Sequence, residues 1–155
     1  GWSRAYRAHI RQAVSERTAR TCQMKEPRWL TVTAIHTMHE ELIAEHGGSS
    51  GVRDQGLLEA ALARPQNLLA YGKPTLAEMA ASYAFGIACN HPFVDGNKRT
   101  ALMAAYVFLG LNGQRLVAPE AEAVVMTVEL ASGACGEAEY SAWLASHLEP
   151  IKARR

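Results

Sequence analysis

The chain has 155 residues and a mass of 16.9 kDa, the size of one ordinary domain, and 48% of it is hydrophobic, too much for a disordered chain. Much of that fraction is alanine and aromatics are only 7%, which favours tightly packed helices over a β-sandwich. Net charge is +1 but uneven: residues 1–28 hold seven Lys/Arg against two glutamates, a net of +5, which leaves −4 on the rest and excludes a folded surface built to neutralise nucleic-acid phosphates.

The first residues are basic, and Tyr6, Ile10, Ala13 and Val14 fall on one narrow helical stripe, with a boundary expected near Met24–Pro27. Thr31–His46 reads as a helix, with Thr31 or Thr33 as cap and Ile35, Met38, Leu42 and Ile43 on one face. A glycine-rich turn at 47–51 ends it. Asp54 opens a short helix to Ala63, and Arg64-Pro65 is expected to stop it, because a residue before proline is pushed out of the helical region. Residues 65–74 then read as an irregular loop or short hairpin. Thr75 caps a helix that ends near Asn90, ahead of Pro92. The next helix, about 97–111, is apolar all round and is therefore expected at the centre of the fold. Ala118–Ala131 and Glu137–Leu148 close the bundle. The class is all-α, with six or seven helices and a flap or hairpin near 65–74.

The longest apolar run, Ala101–Leu111, falls short of the roughly 20 residues that cross a bilayer, and no secretory signal is expected. Three widely spaced cysteines, Cys22, Cys89 and Cys135, do not make a disulfide framework. A cytoplasmic setting is expected.

The chemistry concentrates in His91-Pro92-Phe93-Val94-Asp95-Gly96-Asn97-Lys98-Arg99. A helix N-terminus presents unpaired N–H groups and a positive dipole end, which suits an anion. Gly96 lets the backbone approach a phosphate, and Asn97, Lys98 and Arg99 add donors. Asp95 is a hard oxygen ligand suited to Mg²⁺. His91, with an ordinary pKa of about 6.5, suits removal of a hydroxyl proton. Each residue alone has a plainer reading: Asp95 and Arg99 as an i,i+4 pair, Asp95 or Asn97 as an N-cap, Lys98 as a solvated cation. Their grouping at the start of a buried helix is what points to a site. His36 and His39 stand three apart without a third ligand, so they read as packing residues rather than a metal site, with His39 expected near the Arg53-Asp54 turn. No phosphate-binding G-x-x-x-x-G-K-S/T loop and no G-x-S-x-G elbow occurs.

The stretch resembles the Fic/Doc signature, H-x-F-x-D/E-G-N-x-R, and is most similar to its death-on-curing (Doc) branch, the toxins of toxin–antitoxin modules. Ile35–Glu40 with Leu42-Ile43, the Gly47-Gly48…Gly51…Arg53-Asp54 turn, Leu57-Leu58-Glu59, Ala61–Gln66 and Asn112-Gly113 also look Doc-like, over about residues 25–148. Residues 1–23 fall outside the likeness and read as a non-native or disordered extension, with a Fic/Doc domain over 24–155 and Met24 resembling a natural start.

The resemblance implies roles. His91 would be the general base, Asp95 would hold Mg²⁺, and Gly96, Asn97, Lys98 and Arg99 would line the nucleotide phosphates. Phe93 would brace the loop from the core, and 65–74 would be the flap that docks the target by strand addition. AMP-transferring members have a glycine where this chain has Lys98 and a second arginine where it has Leu102, which favours the Doc mode: transfer of the γ-phosphate of ATP to elongation factor Tu, halting translation. Gly96 itself resembles the wider family and keeps AMP transfer as an alternative; a non-catalytic Fic-fold binding module is a third. No glutamate is followed by glycine or asparagine, so the inhibitory S/T-x-x-x-E-G/N helix of the family is missing and a separate antitoxin, acting in trans through a tail that folds into a groove beside the motif, is the implied regulator. Neither membrane nor direct nucleic-acid binding is implied.

Overall fold

A computed structural model describes residues 1–19 and 26–152. Among them stand seven helices and one pair of short strands: α1 (Arg4–Ala19), α2 (Val32–His46), α3 (Gln55–Tyr71), α4 (Leu76–Asn90), α5 (Asn97–Leu111), β1 (Gln114–Leu116), α6 (Glu120–Ser132), α7 (Glu137–Ala145) and β2 (Leu148–Pro150). The helical class stands. The strands pair antiparallel, with Arg115 opposite Glu149, and close the end of the bundle where α5 stops.

Local chemistry sets the helix starts. Thr31 accepts from the Ala34 N–H at 3.0 Å and opens α2. Thr75 and Glu78 form a reciprocal box, 3.1 Å one way and 2.9 Å the other, and open α4. Asp54 opens α3 by accepting from Leu57 at 3.0 Å.

The apolar circumference of α5 has the expected consequence. Every residue from Thr100 to Leu111 is buried, with neighbours on all sides. Phe108 lies 5.1 Å from the Tyr83 ring of α4 and stacks on Trp29 at 6.0 Å. Alanines along α4 and α5 let the two backbones lie close, which places the start of α5 beside the end of α4.

Three expectations need correction. First, Pro65 does not stop α3, and 65–71 is helix rather than flap or hairpin. A proline inside a helix costs about 3 kcal/mol. Here Pro65 is itself buried beside Leu58, Ala61 and Leu62, and that burial outweighs the local preference. The extended backbone beside the motif is instead the segment before α3, where Val52 bridges Phe93.

Second, the head does not stand outside the fold over residues 4–19. It forms α1, whose Tyr6, Ile10 and Ala13 are buried against α2 and α5. The stripe seen in the sequence is the docking face of a packed helix. Met24, Cys22 and the proposed boundary at 23/24 lie outside the described residues. Third, α7 ends at Ala145, and Leu148 belongs to β2. Among the described residues no helix is long and apolar enough to cross a membrane. Cys89 and Cys135 are free thiols.

Candidate active site

The motif is a tight turn between α4 and α5. His91 caps the end of α4 with φ 50 and ψ 58, a left-handed conformation found at no other non-glycine residue among those described. That conformation costs roughly 1–2 kcal/mol outside glycine. Gly96 caps the start of α5 at φ 75, where a side chain would be strained and would crowd Ile43. The two ends of the turn are thus fixed by unusual backbone, and residues 92–95 run between them.

Asn97 holds the turn together. It is buried, its Oδ1 accepts from Phe93 N–H at 2.9 Å, and its Nδ2 donates to Phe93 C=O at 3.0 Å. One of its two amide N–H donors is thereby used inside the turn. Asn97 also brings its backbone N–H, the first of α5. No side chain caps α5, so its first-turn N–H groups at Asn97, Lys98 and Arg99 face outward without a side-chain acceptor, as an anion site requires.

Asp95 is exposed. Its Oδ1 accepts from Gly96 N–H at 2.8 Å and its Oδ2 from Ser49 N–H at 3.2 Å. A Cβ at Gly48, itself at φ 118, would lie 2.5 Å from Asp95 Oδ2, so glycine is what lets the 47–51 turn approach the carboxylate. Among the described residues no three metal-ligating side chains cluster. A single carboxylate suits Mg²⁺, which keeps several waters and is otherwise held by substrate phosphates. Asp95 fits that ion in such a role.

Lys98 is exposed and Arg99 half-buried. The Arg99 guanidinium lies 3.8 Å from Glu120 and donates toward His46 Nε2 at 3.5 Å. The Tyr6 hydroxyl donates to the Arg99 carbonyl at 2.9 Å, and Glu120 also accepts from Ser3 N–H at 2.7 Å. Burial pushes the Tyr6 phenol far above its ordinary range, so the hydroxyl stays a donor. Leu102 is wholly buried and brings no polar atom to this surface.

Along the turn His91, Asp95 and Lys98 are exposed, Gly96 and Arg99 are half-buried, and Asn97 is the internal brace. Phe93 is buried and stacks on His39 at 3.9 Å with 8° between the rings. His39 packs as expected, but its partner is the motif: Nε2 lies 2.8 Å from the Asp95 carbonyl. His39, Arg53, Tyr6 and Glu120 support the site from elsewhere in the chain. Of these, only His39 and the Gly47–Asp54 stretch carried a sequence signal, through the resemblance. Two clefts, one lined by Arg64, Tyr71 and Lys73 and one by Trp29, Thr33 and Met38, lie elsewhere. The motif face is recognised by its groups, not by its depth.

Comparison with known proteins meets this geometry. Residues 29–109 match the model of the Fic/DOC family. A protein named Toxin Doc from Mycolicibacterium smegmatis is 52% identical over 75 residues, 46% of this chain and 57% of that protein, so the matched stretch spans little more than half of it. A protein named Protein kinase doc from Escherichia phage P1 is 37% identical over 107 residues, 68% of this chain and 84% of the phage protein. With the motif turn, the buried central helix and these matches in place, the chain belongs to the Fic/DOC family.

Proposed function

We propose that the chain is a Doc-type toxin of a toxin–antitoxin module, transferring the γ-phosphate of ATP to a hydroxyl of a protein target. By the family resemblance that target is elongation factor Tu, and the outcome is arrest of translation. The observation that supports the reading is the α5 N-terminus, which no side chain caps, following directly on a turn that exposes His91 and Asp95, with Leu102 buried and Lys98 exposed. The names of the two relatives, Toxin Doc and Protein kinase doc, support the same class.

The chain's own groups divide the work. His91 takes the proton from the target hydroxyl as its oxygen bonds to the γ-phosphorus. The bond from that phosphorus to the β,γ-bridging oxygen breaks, and ADP leaves. First-turn N–H groups of α5, with Lys98 and Arg99, hold the phosphate oxygens and their growing charge. Asp95 would hold Mg²⁺, which neutralises phosphate charge when bound. A cognate antitoxin acting in trans supplies the inhibition, since the chain lacks the family's inhibitory motif.

Gly96, which resembles the wider family at a position where some Doc members have alanine, keeps AMP transfer as the second reading. Incubation with a bacterial lysate and ATP labelled at either the α or the γ position separates the two. Label from γ alone on a band at elongation factor Tu, lost in His91→Ala, is the expected result. Label from α instead identifies nucleotidyl transfer. No label from either position, with a growth effect that survives His91→Ala, identifies a non-catalytic binding module.

A further inference from the structure

The left-handed backbone of His91 is held from outside the motif. Arg53 donates through Nε to the His91 carbonyl at 2.7 Å and through a terminal nitrogen to the Asn90 carbonyl at 2.8 Å. The rigid guanidinium fork thus spans two successive carbonyls at the end of α4, where a positive charge is favoured. The same residue anchors its own backbone to the turn. Arg53 and Asp54 N–H groups both donate to the Pro92 carbonyl, at 2.7 and 3.0 Å, and Val94 N–H donates to Gly51 at 3.1 Å. Arg53 is exposed, and among the described residues it pairs with no carboxylate. Its charge is committed to backbone at the point where the candidate base leaves its helix.

We infer that Arg53 is a positioning residue for His91. By pinning the carbonyls on either side of the His91 Cα, it fixes where the imidazole stands relative to the first turn of α5. This inference rests on the reading of His91 as the base for its effect on rate, but not for its effect on the His91 backbone. A displacement of about 1 Å at such a group is enough to slow transfer on the order of 10²-fold.

Two measurements on the full chain test it. The first follows the imidazole C–H resonances of histidine-labelled protein, with His91 assigned by its loss in His91→Ala. In Arg53→Leu the His91 resonance is expected to shift or split while that of His147, whose ring contacts are with Trp143 and Ser146, stays in place. In Arg53→Lys, which keeps a donor but not the fork, the change is expected to be smaller. The second measures transfer. Arg53→Leu is expected to lower kcat roughly 10–100-fold with KM for ATP nearly unchanged, and Arg53→Lys to recover part of that loss. An unmoved His91 resonance in Arg53→Leu overturns the inference, as does a loss of ATP affinity that accounts for the whole loss of rate. A wild-type chain that transfers no phosphate, yet shows the resonance change, overturns the proposed function and leaves the positioning role standing.

Discussion

The body of α5 and the turn at its head are contiguous in sequence and opposite in character. The body is dry: Thr100–Leu111 is buried throughout and held by apolar contact on every side. The turn is wet: His91, Val94, Asp95 and Lys98 are exposed, and its shape depends on hydrogen bonds, two left-handed residues and a buried amide. The body has the larger hold on stability, and it gives the turn a rigid N-terminus to sit on. The turn supplies the chemistry and stores strain at His91. Substitutions in the two regions should therefore separate stability from activity.

The largest separation is expected from two single changes. Phe108→Ala opens a cavity between α4, α5 and Trp29 and should cost about 3–5 kcal/mol in denaturant unfolding, while the folded fraction keeps its transfer rate. His91→Ala should slow transfer ~10²–10⁴-fold and leave the unfolding midpoint almost unmoved. The comparison sharpens with His91→Gly, which removes the base and the strain together. That variant should be inactive yet more stable by up to about 1 kcal/mol, after the entropy of a new glycine is set against the relieved backbone.

A smaller effect is expected at the α3–α4 crossing. A Cβ at Gly86 would lie 2.9 Å from Ala61 Cβ and 3.1 Å from Arg64 Cδ. Gly86→Val should therefore force the helices apart and cost about 1–3 kcal/mol by thermal unfolding. An unchanged melting midpoint would show that this crossing is looser than its packing indicates.

The smallest concerns α1 and pH. Burial would raise the Glu45 carboxyl, but the N–H groups of Ala5 and Arg4, which donate to it at 3.1 and 2.9 Å, and nearby His46 together hold it below its ordinary value. A carboxyl lowered in the folded state adds stability above its unfolded pKa and loses it as pH falls through the folded one. As pH falls below about 4 the wild type should thus lose stability more steeply than Glu45→Gln, which lacks this carboxylate and should show a flatter dependence. Equal slopes would remove Glu45 from the docking of α1.

Several of these features were legible in the sequence. The all-round apolarity of 97–111 marked the central helix, Thr75 marked a helix start, and nine residues from His91 to Arg99 marked the site. The misreadings have physical causes. Pro65 was weighed by its local geometry, whereas tertiary burial decided its place. The Tyr6, Ile10, Ala13 stripe was visible, but the groove between α2 and α5 that receives it was not. No spacing shows the buried Phe93 backbone that the Asn97 amide bridges. Arg53 stood in a turn that carried the resemblance and Tyr6 on a helical stripe, but their contacts with the motif, and those of Glu120, are ones that only the folded chain brings together.

The central claim is that the turn from His91 to Arg99 passes a phosphate, and not a nucleotide, to a protein hydroxyl. The intact mass of purified elongation factor Tu after incubation with the full chain, ATP and Mg²⁺ tests it most directly. A gain of one phosphate group, absent with His91→Ala, is the predicted result. A gain of one AMP group, or a phosphate gain that persists in His91→Ala, would contradict the account.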